Sequence, residues 1–136
     1  MKKIYSKVKP DKLLHFIRRK EEAITQREDL VEPNNFIQCS QLKLNAGQTF
    51  KPHKHIWKSR TMDVIAQESW IVIQGSVECH FYDIDDSLLE KATLNIGDAS
   101  FTLEGGHNYL ILEDNTIVYE YKTGPYEGIE LDKTFL

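Results

Sequence analysis

From about residue 36 onward, apolar residues fall in short runs that polar or glycine-containing turns separate. The run at 68–75 is rich in β-branched and aromatic residues and ends on a glycine, which is typical of a strand closed by a turn. Many short strands at regular spacing predict an all-β sandwich or barrel. The predicted strands cover residues 36–44, 49–55, 68–73, 77–84, 88–94, 99–103, 107–112 and 116–121.

The turns between these runs predict which strands pair. Gly75 and its polar neighbours favour a hairpin between strands 68–73 and 77–84. The polar residues at 113–115 favour a second hairpin, between strands 107–112 and 116–121. A turn at 85–86 leads from strand 77–84 into strand 88–94.

The N-terminal segment has a different pattern, with apolar residues at spacings of three, four and seven. Such spacings favour one face of a helix, and an aspartate precedes them as a possible cap. We therefore expect one N-terminal helix over about residues 11–26. The residues that carry this prediction are Asp11, Leu13, Leu14, Phe16, Ile17 and Ile24. Residues 27–35 are polar and contain Pro33, so they read as a linker into the β region.

Length and composition predict one globular domain. The chain has 136 residues, of which 40% are hydrophobic and 28% charged, and this is enough to bury a core without disulfides. We divide it into an N-terminal helical arm and linker (1–33), a β domain (34–124) and a C-terminal tail (125–136). The formal net charge of −4 gives no basic surface for nucleic acid. Nothing in the sequence favours membrane insertion, and the apolar part of the N-terminus is too short for a signal peptide, so we expect a cytoplasmic protein.

Histidine spacing points to a metal site. His53 and His55 are one residue apart on a predicted strand, so both side chains point the same way. Glu68 begins the next strand, and His107 follows a glycine turn far along the chain. Imidazole and carboxylate together suit iron, manganese, zinc, nickel or copper. The alternative is that these are ordinary surface or core histidines, with His107 at the end of a strand.

These residues resemble the cupin superfamily. Its first motif, GxxxxxHxHxxxxExxxxxxG, is similar to the pattern of Gly47, His53, His55, Glu68 and Gly75, although twelve residues separate His55 from Glu68. Its second motif, GxxxxxPxGxxHxxxN, is matched more loosely. Gly97, Gly105 and His107 follow it, with Leu103 in place of the proline, one residue fewer before the histidine and no asparagine after it.

A closer likeness is to the WbuC-type cupin-fold metalloproteins, which are encoded among genes for O-antigen and capsule synthesis. PHKHxxK at 52–58, GGH at 105–107 and YEYKTGPY through DKTF at 119–135 carry this likeness. It implies a mainly β, single-domain cupin, a double-stranded β-helix or jelly-roll barrel, with the tail packed on the barrel or on a neighbouring subunit. It also implies a homodimer and one divalent transition metal per chain, zinc, iron, manganese or nickel. The implied metal ligands are His53, His55, Glu68 and His107.

Other side chains are candidates for substrate contact or proton transfer. Strand alternation places Tyr109 on the face of His107, and Trp70 on the face of Glu68. Tyr109, His80 or a metal-bound water are candidate bases, whereas Lys51, Lys58 and Trp70 are candidate substrate-binding residues. The alternatives are core packing for the two aromatic residues, an ordinary lone histidine for His80 and solvated loop charge for the lysines.

We therefore carry several hypotheses of function. The first is a metal-dependent cupin, an isomerase or epimerase if it is an enzyme, that acts on a sugar or sugar nucleotide in surface polysaccharide synthesis. The second is an iron-dependent oxygenase. The third is a non-catalytic carbohydrate-binding or regulatory module with a structural metal. A metal-free epimerase or ketoisomerase with histidine as base is a further alternative.

Overall fold

The chain forms a mainly β structure, as its alternating pattern predicts. The computed structural model describes residues 1–23, 27–32, 35–42, 46, 48 and 65–123. Within these residues it has ten strands and one 3-10 turn, at Lys20–Glu22. The strands are β1 (Lys2–Tyr5), β2 (Leu13–Arg18), β3 (Arg27–Asp29), β4 (Ser40–Leu42), β5 (Glu68–Gln74), β6 (Val77–Tyr82), β7 (Leu88–Leu94), β8 (Ala99–Thr102), β9 (Gly106–Ile111) and β10 (Ile117–Lys122).

Within the ranges that the structure describes, the strands form three antiparallel sheets. The large sheet has the order β1-β2-β8-β5-β10, the small sheet has the order β7-β6-β9, and the third sheet consists of β3 and β4. All pairings are antiparallel. As the sheet orders show, strands that follow one another in the sequence often belong to different sheets.

The main core lies between the large and small sheets. Ile17 and Val72 of the large sheet pack in one buried cluster with Val77, Phe81 and Leu94 of the small sheet. All five are fully buried. The two sheets thus form a sandwich, and the face that each turns to the other is called the inner face below.

A second core covers the outer face of the large sheet. Phe16 of β2 and Phe101 of β8 are direct partners across the strand pair, and their rings stack with centroids 4.4 Å apart. Leu30 and Val31, which follow β3, pack on them. β2 is therefore buried on both faces, as its burial pattern shows.

The predicted N-terminal helix is wrong. Residues 13–18 form strand β2 and residues 20–22 form a 3-10 turn, and no α-helix is present in the part of the chain that the structure describes. A strand buried on both faces has apolar residues at successive positions, and this run mimics the apolar stripe of a helix. The linker predicted at 27–35 also includes a strand, β3. No helix of the described residues is long and apolar enough to cross a membrane.

Two of the predicted hairpins are also wrong. β5 pairs with β8 and β10 rather than with β6, and β9 pairs with β6 rather than with β10. The turn at Gly75, which has a φ of 76°, thus carries the chain from one sheet to the other. The hairpin between β6 and β7 is confirmed. The strand predicted at 49–55 and the tail 125–136 lie outside the described residues.

Candidate functional site

Glu68 and His107 meet on the inner face of the sandwich. Glu68 begins β5, and its direct partner across the strand pair is Thr102 of β8. His107 lies on β9 opposite Phe81, a core residue of β6. Directly opposed residues share a face, so His107 points between the sheets as Phe81 does. Glu68 points the same way, because it shares a strand face with the core residue Val72. Oε1 of Glu68 lies 3.1 Å from Nε2 of His107, so residues 39 positions apart in the sequence form a close pair.

Trp70 and Tyr109 stack beside this pair. Each lies two residues further along its strand, and the two rings are nearly parallel, with centroids 3.8 Å apart and an angle of 7° between their planes. The Tyr109 hydroxyl is 3.0 Å from Oγ of Ser100 on β8. The aromatic pair therefore ties the two sheets together next to Glu68 and His107.

Burial strengthens the preference of the Tyr109 phenol for its protonated form. It raises the pKa of the phenol above its ordinary value, and the hydrogen bond with Ser100, which acts in the opposite direction, does not offset it. Desolvation disfavours the phenolate in such a site. Tyr109 is accordingly a neutral hydrogen-bonding group, which speaks against its predicted role as a base.

Sequence reasoning missed Glu120. This residue lies on β10 directly opposite Trp70, and its Oε2 accepts a hydrogen bond of 3.1 Å from the Trp70 indole Nε1. The same indole N–H lies 3.1 Å from Oε1 of Glu68. Placing Glu120 at the site from the sequence requires knowing that β10 pairs with β5. The polar turn at 113–115 instead favours a hairpin between β9 and β10.

His15 lies on β2 rather than on the predicted N-terminal helix. It is fully buried on β2, opposite Thr102. Its Nε2 lies 3.0 Å from the carbonyl oxygen of Tyr82, and its Nδ1 lies 3.2 Å from the Thr102 hydroxyl. Since a carbonyl only accepts, Nε2 carries the proton and Nδ1 accepts from Thr102. Burial lowers the pKa of His15 to about 4, so His15 is a neutral structural residue beside the site.

The structure does not bring His80 to this site. His80 lies on β6 between Cys79 and Phe81, whose side chains are in the core, and adjacent residues of a strand point to opposite faces. Its Nε2 is 2.6 Å from Oε1 of Glu78 on the outer face of the small sheet. A role for His80 as base toward a ligand bound at Glu68 and His107 is therefore not supported by its position.

Four predicted site residues, His53, His55, Lys51 and Lys58, lie outside the described residues. Within the residues that the structure does describe, no group of three or more histidine, cysteine or acidic side chains is placed to hold a metal. Two donors are in place, a carboxylate and an imidazole, and both suit a divalent transition metal. In that same part of the chain, the buried Nδ1 of His107 has no hydrogen-bond partner.

Comparison with known proteins identifies no relative. No protein-family model, no curated protein and no solved structure matches the chain. The likeness to cupins therefore rests on the motif residues quoted above.

Proposed function

We propose that the chain is a metal-binding cupin of the jelly-roll type that acts on a sugar or sugar nucleotide in surface polysaccharide synthesis. The observation that carries the proposal is the contact between Glu68 and His107. These are two of the four residues that the motif nominates as ligands, and they converge from different sheets. A two-sheet antiparallel sandwich is the architecture that a jelly roll requires.

Glu68 and His107 would hold one divalent metal together with His53 and His55. Three imidazoles and one carboxylate are borderline ligands that accept zinc, iron, manganese or nickel. When bound, the metal would supply Lewis-acid chemistry by polarising a carbonyl or a pair of vicinal hydroxyls.

The remaining groups of the site bind and orient. The Trp70 and Tyr109 stack forms an apolar wall that excludes water beside the ligand pair, and neutral Tyr109 offers a hydrogen bond. Lys51 and Lys58 flank the histidine motif in the sequence, and their charges would favour a phosphate or carboxylate group on the substrate. The pathway assignment rests on the likeness to WbuC-type proteins.

A second candidate function is a metal-free epimerase or isomerase that uses His107 as its base. The observation that favours it is the orientation of His107, whose Nε2 faces the Glu68 carboxylate while Nδ1 has no hydrogen-bond partner among the described residues. A carboxylate that holds one ring nitrogen of a histidine fixes the tautomer and leaves the other nitrogen to accept a proton. A substrate that reached Nδ1 would supply the missing hydrogen bond.

Elemental analysis by mass spectrometry separates these two functions. The protein is purified without a metal-affinity column, alongside His107→Ala and the control His80→Ala, which removes a histidine from the opposite face of β6. Metal binding predicts about one metal per chain in the wild type and in His80→Ala, and a large loss in His107→Ala. Absence of metal from the wild type would contradict the metal-binding proposal and favour the metal-free enzyme. Iron as the bound metal, with oxygen consumed during turnover, would instead indicate the oxygenase.

A further inference from the structure

The indole N–H of Trp70 is shared by two carboxylates. Nε1 lies 3.1 Å from Oε1 of Glu68 on its own strand and 3.1 Å from Oε2 of Glu120 on the neighbouring strand β10. The Glu68 oxygen involved, Oε1, is the same atom that contacts His107. The Trp70 indole and His107 therefore both contact the same oxygen of Glu68.

The Trp70 ring is itself held in place. Tyr109 stacks on it at 3.8 Å, and the Tyr109 hydroxyl is fixed by Ser100, whose direct partner on β5 is Trp70. Stacking of this kind, combined with hydrogen bonds from the polar edge, restricts an aromatic side chain to one orientation. A rigid donor of this kind can fix the direction of the carboxylate that it contacts.

We propose that Trp70 is a positioning residue that orients the Glu68 carboxylate toward His107, with Glu120 as the second acceptor of the same N–H. The proposal deepens the metal-binding function and rests on it for its consequence. Groups that hydrogen-bond a ligating carboxylate fix its orientation, and their loss typically weakens metal binding by about 10–100-fold. Trp70 accordingly acts through Glu68, without touching the metal or the substrate in this role.

The hydrogen bonds are tested first, in metal-free protein. The chain has two tryptophans, Trp57 and Trp70, so Trp57→Phe leaves one indole N–H signal in a proton–nitrogen NMR spectrum. Glu68→Gln and Glu120→Gln should each move that signal, because each replaces a charged acceptor by a neutral one. Glu78→Gln, on the outer face of β6, is the matched control and should leave the signal in place. A signal that does not respond to Glu68→Gln would overturn the proposal.

The consequence is tested with Co²⁺ as the probe. Trp70→Phe keeps a ring to stack on Tyr109 but removes the N–H, and it should weaken Co²⁺ binding by about tenfold or more, whereas Glu78→Gln should bind like the wild type. Unchanged Co²⁺ affinity in a folded Trp70→Phe variant would overturn the proposed role. A wild type that binds no Co²⁺, zinc or iron would contradict the metal-binding function, while the NMR result would still decide whether Trp70 positions Glu68.

Discussion

The burial of His15 predicts how the free energy of unfolding changes with pH. Its folded-state pKa is lowered from 6.5 to about 4, chiefly by burial. The unfolded chain therefore takes up a proton between these two values while the folded chain does not. Neutral His15 therefore leaves the free energy of unfolding at its full value above pH 6.5. Part of that free energy is lost as the pH falls toward 4, because the unfolded state then binds more protons than the folded state.

The size of the effect follows from the shift. A change of one pKa unit corresponds to about 1.4 kcal/mol, so the full loss is about 3 kcal/mol. Between pH 7 and pH 5 alone, linkage gives a loss of about 2 kcal/mol in the free energy of unfolding. That loss is a large part of the stability of a domain of this size.

The assay is urea denaturation at pH 5, 6 and 7 in the presence of a chelator, which removes any contribution of metal binding. The comparison is between the wild type and His15→Gln, which retains a donor and an acceptor but does not titrate. The wild type should lose about 2 kcal/mol more than the variant between pH 7 and pH 5. Equal losses in the two proteins would refute the assignment of His15 as a buried neutral residue.

Three further substitutions test the fold. Gly105→Ala should lower the melting temperature more than the control Gly97→Ala does. Both glycines have a positive φ, so the backbone strain is similar. A Cβ at position 105 would lie 2.5 Å from a backbone oxygen, whereas a Cβ at position 97 would meet a flexible side chain. Phe16→Ala should lower the free energy of unfolding by about 3–5 kcal/mol in urea titrations, because the ring is fully buried against Phe101. Burial acts to raise the pKa of Asp83, but hydrogen bonds outweigh it and lower the pKa to about 2. Asp83→Asn should therefore be less stable than the wild type at pH 7, and the difference should shrink as the pH falls from 3.8 toward 2.

Local pattern was sufficient for most strands but not for their partners. The sequence predicts a strand over residues 88–94, and β7 has those bounds, because the turn residues at 85–86 and at 97–98 mark its two ends locally. Pairing depends on contacts between distant residues. The short turn at Gly75 joins strands of different sheets, and the sequence of a turn does not state which sheet each strand enters.

The N-terminal error has a related cause. Leu14 and Phe16 point to one face of β2, and His15 and Ile17 point to the other, yet all four are buried. The outer face is covered by residues that follow β3. That second layer is a tertiary feature, so periodicity within residues 11–26 could not separate a doubly buried strand from a helix.

In the candidate site, too, alternation within each strand was predictable, but the pairing of the strands was not. Alternation predicted that Trp70 shares the face of Glu68 and that Tyr109 shares the face of His107, and the four side chains lie together in the structure. Glu120 joins them only through the pairing of β10 with β5. The sequence therefore identified the side chains within each strand, and the folded sheets determine which of them meet.

Anomalous X-ray diffraction at the absorption edge of the bound metal tests the central claim most directly. Crystals of the wild type, grown with the metal that elemental analysis identifies, would be compared with crystals of His107→Ala. The account predicts one strong peak per chain, within bonding distance of Glu68 and His107, that disappears in the variant. A peak remote from both residues, or its persistence in His107→Ala, would contradict it.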